Sequence, residues 1–263
     1  MIRAVSLAFL LLLAVASARA TDRVGREDPW TTLEEMLHQS GVDHTDAHSL
    51  VVWLRTAPAT ADRWAAIEVL GLRGDREAIP VLRAFATDGK ERFLAETAAL
   101  ALARLGEESG KSALVSFVES AKEPERQLYL AARLAELGDA SGYRFVAQAA
   151  IDGSADRRFA SAAALVAFLP LEPASKGAID AERRLLGLAH DEEARVRSEF
   201  VVQAPIAISR GGDRDRFETA LRDLATRDAG ANIREQAKLM LTGLEFEDEN
   251  KRREELPPQA PRP

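Results

Sequence analysis

Apolar positions along this chain gather into short runs with helical spacing, divided by polar turns, and the same run-turn-run unit returns every 30 to 38 residues or so between about residues 62 and 244. Self-similarity at that interval is what stacked pairs of helices leave in a sequence. The unit is clearest at its turn. Leu70-Gly71-Leu72-Arg73-Gly74-Asp75 is followed thirty-two residues later by Leu102-Ala103-Arg104-Leu105-Gly106-Glu107, and after the same interval by Leu134-Ala135-Glu136-Leu137-Gly138-Asp139. Four residues before each turn glycine stands Leu70, Leu102 or Leu134, and eight after it Leu82, Leu114 or Val146. These positions are expected to be the touching faces of a helix pair. Glycine closes the first helix in the left-handed conformation, and the acid after it favours the amino end of the second. Pro80 fits the early turns of that second helix, where a missing N–H costs least.

Beyond Gly138 the interval lengthens. A fourth unit from about Asp156 replaces the glycine turn with Leu169-Pro170-Leu171-Glu172-Pro173, and a fifth recovers a turn at Gly211-Gly212-Asp213. Several first helices open on an arginine beside an apolar residue with alanine near: Arg63-Trp64-Ala65, Arg158-Phe159-Ala160, Val196-Arg197 and Ile233-Arg234-Glu235-Gln236-Ala237. Pro205, inside the first helix of the fifth unit, is expected to kink it.

The aliphatic-Arg-x-x-Ala opening, the Leu-Gly-Asp turn and the following Ala78-Ile79-Pro80-x-Leu82 resemble HEAT repeats, in particular the short bacterial HEAT-like type first noted in phycobilisome lyases. The resemblance covers about two thirds of the chain, well in units one to three and five and poorly in unit four. It implies an all-α fold, an α-solenoid (HEAT/armadillo-like superhelix) of about five to six helical-hairpin repeats, right-handed and binding along its concave face. It implies no chemistry, because most proteins built from this repeat are scaffolds or adaptors.

Four segments are expected. Met1-Ile2-Arg3, an apolar run from Ala4 to Val15 and the small-x-small site Ala18-Arg19-Ala20 read as a cleaved secretory signal over residues 1–20. Residues 21–61 read as an amino-terminal extension and helical cap: a short helix with a Thr-x-x-Glu capping start near Thr31, then a second from Asp46 to Arg55, before the linker Ala57-Pro58-Ala59. The repeat array occupies 62–244, and residues 245–263, charged and then proline-rich, read as a disordered tail. A signal and no cysteine place the mature chain in the periplasm first and the extracellular medium second, with no lipid anchor on cysteine, no disulfide and no thiolate metal site. The apolar start is too short to span a bilayer, which needs about 20 residues, so no stable membrane insertion is expected after cleavage.

Charge narrows the partners. The net charge is −7, and loss of Arg3 and Arg19 with the signal takes it to −9. A nucleic-acid-binding protein is normally basic, so the expected partner is a protein or peptide and not a nucleic acid. Candidate chemistry is sparse. His44 and His48 stand four apart with Asp43 and Asp46 close by, but the first of them falls in a loop entering a helix, so the two imidazoles are not expected to share a face. The His-Glu pairs of the family's metal-dependent hydroxylases are missing, as is a Gly-x-Ser-x-Gly elbow. Glu107-Glu108 and Glu192-Glu193 fall at helix starts, where acids belong anyway. Gly211-Gly212 lacks the strand and the Lys-Ser/Thr of a phosphate loop. The expectation is a non-catalytic scaffold or adaptor with no cofactor or metal, the alternatives being an accessory or lyase-like enzyme that holds a ligand in the groove, or a structural envelope protein without a defined ligand.

What remains is the outward surface of the second helices: Arg83, Ser116, Glu119, Arg144, Gln148, Arg183, Arg184 and Arg222. Aligned, their arginines would form a cationic stripe suited to carboxylate-bearing peptides or anionic polysaccharide. Interleaved acids such as Glu77, Glu182, Glu218 and Asp223 offer the other reading, a solvated face of paired charges.

Overall fold

The computed structural model describes residues 29–43, 45–57, 59–170 and 175–255. The expected signal, His44, most of the fourth-unit proline turn and residues 256–263 lie outside the described residues. Among the described residues every regular element is helical. The α-helices are α1 (Pro29–Gln39), α2 (Ala47–Leu54), α3 (Thr60–Arg73), α4 (Ile79–Thr87), α5 (Arg92–Arg104), α6 (Glu108–Ser120) and α7 (Pro124–Glu136). They continue with α8 (Tyr143–Ala149), α9 (Ala155–Val166), α10 (Lys176–Gly187), α11 (Ala194–Ser209), α12 (Arg214–Arg227) and α13 (Ala231–Glu255). Short 3₁₀ turns at Arg76–Ala78 and Leu188–His190 precede α4 and follow α10. The chain divides into two compact units, residues 1–145 and 146–263.

In the first unit the cap joins the repeats through one apolar core. Leu33 and Leu37 of α1 and Leu50 and Leu54 of α2 belong to the same buried cluster as Ile67, Leu70, Leu82, Leu94 and Leu102. Helix α2 starts where its polar cap dictates, with the Asp46 carboxylate accepting the Ser49 N–H at 2.7 Å. Helix α1 begins at Pro29, so the capping start expected at Thr31 falls inside the helix. A proline in the first turn loses no hydrogen bond and arrives with a helical φ, which moves the boundary two residues upstream.

The turn glycines behave as the pattern requires. Gly74, Gly106 and Gly138 have φ of 80°, 80° and 77°, a conformation costly for any residue with a Cβ. The N–H of the next residue, Asp75, Glu107 or Asp139, then donates to the carbonyl of Leu70, Leu102 or Leu134 at 3.1, 3.0 and 2.9 Å. That is the long bond of a Schellman ending. It reverses the chain while the same three leucine side chains stay buried. Packing in this unit is close enough to exclude a methyl group. A Cβ on Gly110 of α6 would lie 2.6 Å from the Ala103 nitrogen and the Ala99 oxygen of α5. Helix α5 is accordingly buried without a break from Leu94 to Leu102, enclosed by α3, α4 and α6.

The second unit uses the same turn once, at Gly211 (φ 94°), where the Gly212 N–H donates to the Ala207 carbonyl at 2.9 Å. Its hairpins are tied by arginines. Arg158 at the start of α9 grips Asp191 through Nε at 2.6 Å and a second nitrogen at 3.0 Å. Arg197 of α11 grips Asp228 at 2.6 and 3.2 Å. Each also donates backwards to backbone carbonyls, Arg158 to Asp152 and Arg197 to Asp191. The acids accept in turn from the N–H two residues on, Glu193 for Asp191 and Gly230 for Asp228. Phe200 of α11 stacks on Phe217 of α12 with centroids 6.2 Å apart. Pro205 lies within α11 without ending it.

Helix α13 corrects one boundary. Residues 245–255, expected as disordered tail, continue the helix beyond Leu244. The cause is tertiary: Arg214 of α12 pairs with Asp248 at 2.7 Å and donates to the Leu244 carbonyl at 3.4 Å, holding a polar stretch that has little apolar surface to bury.

Two outcomes test this frame. Leu134, fully buried, is expected to cost about 2 to 5 kcal/mol when changed to alanine, read from denaturant unfolding, and an unchanged midpoint would refute the register. The second concerns pH. Burial pushes the Asp191 carboxyl up, but hydrogen bonds from Arg158 and the Glu193 N–H outweigh it and leave it below its ordinary value. At Asp228 the Arg197 hydrogen bond is the largest influence and also lowers it. A depressed carboxylate contributes stability that is complete above its unfolded pKa of about 4 and lost as pH falls through the folded value. Stability should therefore decline below about pH 4. Arg197→Ala should flatten that decline and cost about 3 kcal/mol at neutral pH by stranding a buried acid; a steeper decline in the variant would contradict the assignment.

Candidate functional site

A groove of about 810 Å³ in the second unit is lined by Leu186 of α10, His190 and one face of α12. Helix α12 is placed by its two ends. The Gly211 turn aims it, and the Asp213 carboxylate caps it by accepting the Arg216 N–H at 3.2 Å. Phe217, Leu221, Leu224 and Ala225 are buried on its inner side. Helical periodicity then turns Arg216, Thr219, Ala220, Asp223, Thr226 and Arg227 to the groove.

The groove is charged, and its charges are paired. Arg216 bonds Glu182, whose second oxygen accepts the Asp213 N–H at 3.0 Å. Arg222 bonds Glu218, and Arg227 bonds Asp223 at 2.7 Å. A guanidinium has five N–H donors in a fixed plane, so one carboxylate leaves further donors for an incoming acceptor. The result is a surface of alternating sign at intervals of one helical turn.

The residues singled out from sequence divide between the two units. Arg83, Ser116, Glu119 and Arg144 are exposed on second helices of the first unit. Arg83 bonds Glu107, and the Ser116 hydroxyl donates to the Ser112 carbonyl at 3.1 Å. Glu119 and Arg144 bond each other at 2.6 Å, with the Arg144 guanidinium 4.7 Å from the Phe145 ring centre. In the second unit Gln148 is exposed on α8, and Arg222 lines the groove. Arg183 bonds Asp180. Arg184, expected to point outward, is half-buried instead, because Asp180 one turn earlier (2.6 Å) and the Ala147 carbonyl (3.1 Å) draw it back. All five arginines thus meet a carboxylate. Among the described residues these arginines form a face of paired charges within each unit.

His48 Nδ1 lies 2.6 Å from Glu77, and among the described residues no three histidine, aspartate or glutamate side chains gather to hold an ion. Glu107 and Glu192, one from each acidic pair, bond Arg83 and Arg158.

One cluster escaped the sequence reading. Glu68 and Glu96, 3% and 2% exposed, sit inside the first helices α3 and α5. Arg104 reaches Glu68 at 2.7 Å, while Arg92 at 2.9 Å and Arg126 both reach Glu96. Tyr129 lies between two guanidiniums, Arg126 and Arg133, 5.2 and 5.1 Å from its ring centre. Burial pushes the Tyr129 hydroxyl up, so it stays protonated. The available signal was an acid interrupting an otherwise apolar run, Ala65 to Gly71 and Leu94 to Leu102. Such an acid demands a buried cation, which the local pattern does not identify.

A family model described as HEAT repeats matches residues 47–135, from α2 into α7, about a third of the chain. The match starts in the helix read as a cap and does not reach the fifth unit. Among solved structures, the chain is similar to a designed armadillo repeat protein in complex with the peptide (KR)4, with 18% identity over 73% of this chain and 97% of that one, and a TM-score of 0.43. No curated protein matches. The described residues form consecutive helical hairpins with no strand among them, and residues 47–135 are similar to HEAT repeats.

Proposed function

We propose that this protein is an exported, periplasmic and non-catalytic helical-repeat scaffold that holds a protein or peptide along the surface of its second helices. The observation that carries the reading is the groove beside α12. It is open along the helix, with charges of both signs and hydroxyls spaced by single turns. From Asp213 to Arg227 a helix rises about 21 Å, the length of roughly six residues of extended peptide. Guanidinium donors with acids between them suit a peptide backbone and mixed side chains better than a single buried functional group. Export rests on the apolar amino-terminal run. No described helix is long and apolar enough to cross a membrane.

Because a repeat surface shares its contacts among several side chains, affinity should fall by degrees. In-cell crosslinking and affinity capture from the native envelope would compare the wild type with a variant carrying Arg216→Glu, Arg222→Glu and Arg227→Glu, and with another carrying Arg83→Glu and Arg144→Glu. The expected result is a defined polypeptide crosslinked to α12 and bound at least about tenfold more weakly by the triple variant, with each single change costing only a few-fold. Capture untouched by the triple variant would move the interface elsewhere. Turnover of a ligand lost through one polar position would replace the scaffold with an enzyme that holds its substrate in the groove.

A further inference from the structure

Helix α13, the last described helix, carries an apolar face that no described residue covers. Ile233, Ala237 and Leu244 are buried on its inner side, whereas Leu239 and Phe246 are 66% and 62% exposed. At about 100° per residue, Leu239 and Phe246 lie within about 20° of each other, and Gly243 falls about 40° from Leu239 on the same side. Glycine weakens a helix interior, and a Cβ at Gly243 would meet nothing within 4 Å, so packing within this chain gives no reason for it. An end helix of a repeat array normally turns a polar side to water.

We propose that this face is the contact with a second copy of the chain, whose own α13 crosses it antiparallel about a two-fold axis beside Thr242 and Gly243. The register follows from the sequence of the face. Leu239 and Phe246 stand equally far on either side of the point between Thr242 and Gly243. A two-fold axis there sets Leu239 of each copy against Phe246 of the other. Thr242 and Gly243, small at the crossing, let the two backbones approach. The charges fit the same arrangement. Lys238, which bonds Glu235 of its own helix at 2.7 Å and would exchange that exposed pair for one across the axis, and Glu249 lie on one flank of the face, about 80° to 100° from Leu239. Antiparallel packing brings like flanks together, so Lys238 of each copy reaches Glu249 of the other, twice over. Self-complementarity of this kind is what a two-fold contact requires, and it favours a second copy over an unrelated partner. A single helix pair covers less area than the roughly 1,200 to 2,000 Å² of a stable interface, so the dimer should dissociate on the order of micromolar concentrations.

The chain has no cysteine, so one introduced thiol reports orientation unambiguously. Sedimentation of the purified full chain between about 1 and 200 μM should show monomer passing to dimer. Phe246→Glu should weaken the dimer at least about tenfold, and circular dichroism should show that this exposed change leaves the fold intact. Lys238→Glu should weaken it several-fold, and adding Glu249→Lys should restore it. Under mild oxidation Thr242→Cys should crosslink to itself. Leu239→Cys alone should not, but should do so when mixed with Phe246→Cys. Three results would overturn the proposal: a monomer at every concentration, a dimer indifferent to Phe246→Glu, or self-crosslinking of Leu239→Cys as efficient as that of Thr242→Cys, which would mean a parallel pair. Protection of Leu239 and Phe246 in a chain that stays monomeric would count against it too, assigning the face to a segment of this chain or to another protein.

Discussion

Carboxylates held by arginines of a neighbouring hairpin are the interaction on which the arrangement of helices depends. Arg63 meets Glu91, Arg126 meets Glu96, Arg158 meets Asp191 and Arg197 meets Asp228, pairs 28 to 33 residues apart. Apolar contact alone would let one alanine-rich helix slide along another at little cost. Arg126, Arg158 and Arg197 each bring two nitrogens to one carboxylate, a planar grip that tolerates much less displacement, so these pairs fix the offset between consecutive hairpins. The aspartates at Asp191 and Asp228 do a second task, since each also accepts a backbone N–H and so shapes the loop that leads into the next first helix.

The two units solve the same problem at different depths. In the second unit the acids sit in loops, beside the ends of helices. In the first, Glu68 and Glu96 are inside helices and lack water, so their charge is tolerable only because Arg104 and Arg126 are brought to them. Tyr129 between Arg126 and Arg133 completes that environment, its ring accepting both cations on its faces. Gly110 belongs to the same economy of space, because α6 approaches the α5 backbone too closely for any larger residue.

Engaging arginines in this way also determines the character of the surface. Cations that could have formed a positive stripe each meet an acid, sometimes a shared one as Arg183 and Arg184 share Asp180, and the groove beside α12 is polar, open and lined by charges of both signs. Such a surface discriminates by the positions of many weak contacts, as expected of a scaffold. Of the exposed large apolar side chains, Leu239 and Phe246 share one side of the last described helix.

The sequence by itself determined whatever depends on neighbours along the chain. The turns at Gly74, Gly106 and Gly138, the buried Leu70, Leu102 and Leu134 before them, and the cap at Asp46 all follow from backbone φ, hydrogen bonds of four or five residues' reach, and apolar spacing. The resemblance to HEAT repeats rested on those same local features. One-turn pairs such as Arg222 with Glu218 and Arg227 with Asp223 are also local. Only the tertiary structure decided which carboxylate of another hairpin Arg63, Arg126, Arg158 and Arg197 meet, that Arg144 and Glu119 neutralise each other, that Arg184 turns inward to the Ala147 carbonyl, that α13 runs on to Glu255, and where α10 and α12 part to leave a groove. Those outcomes turn on residues some 25 to 40 positions apart, whose distance is set by how hairpins pack, and a flexible arginine side chain can reach several acids until that packing selects one.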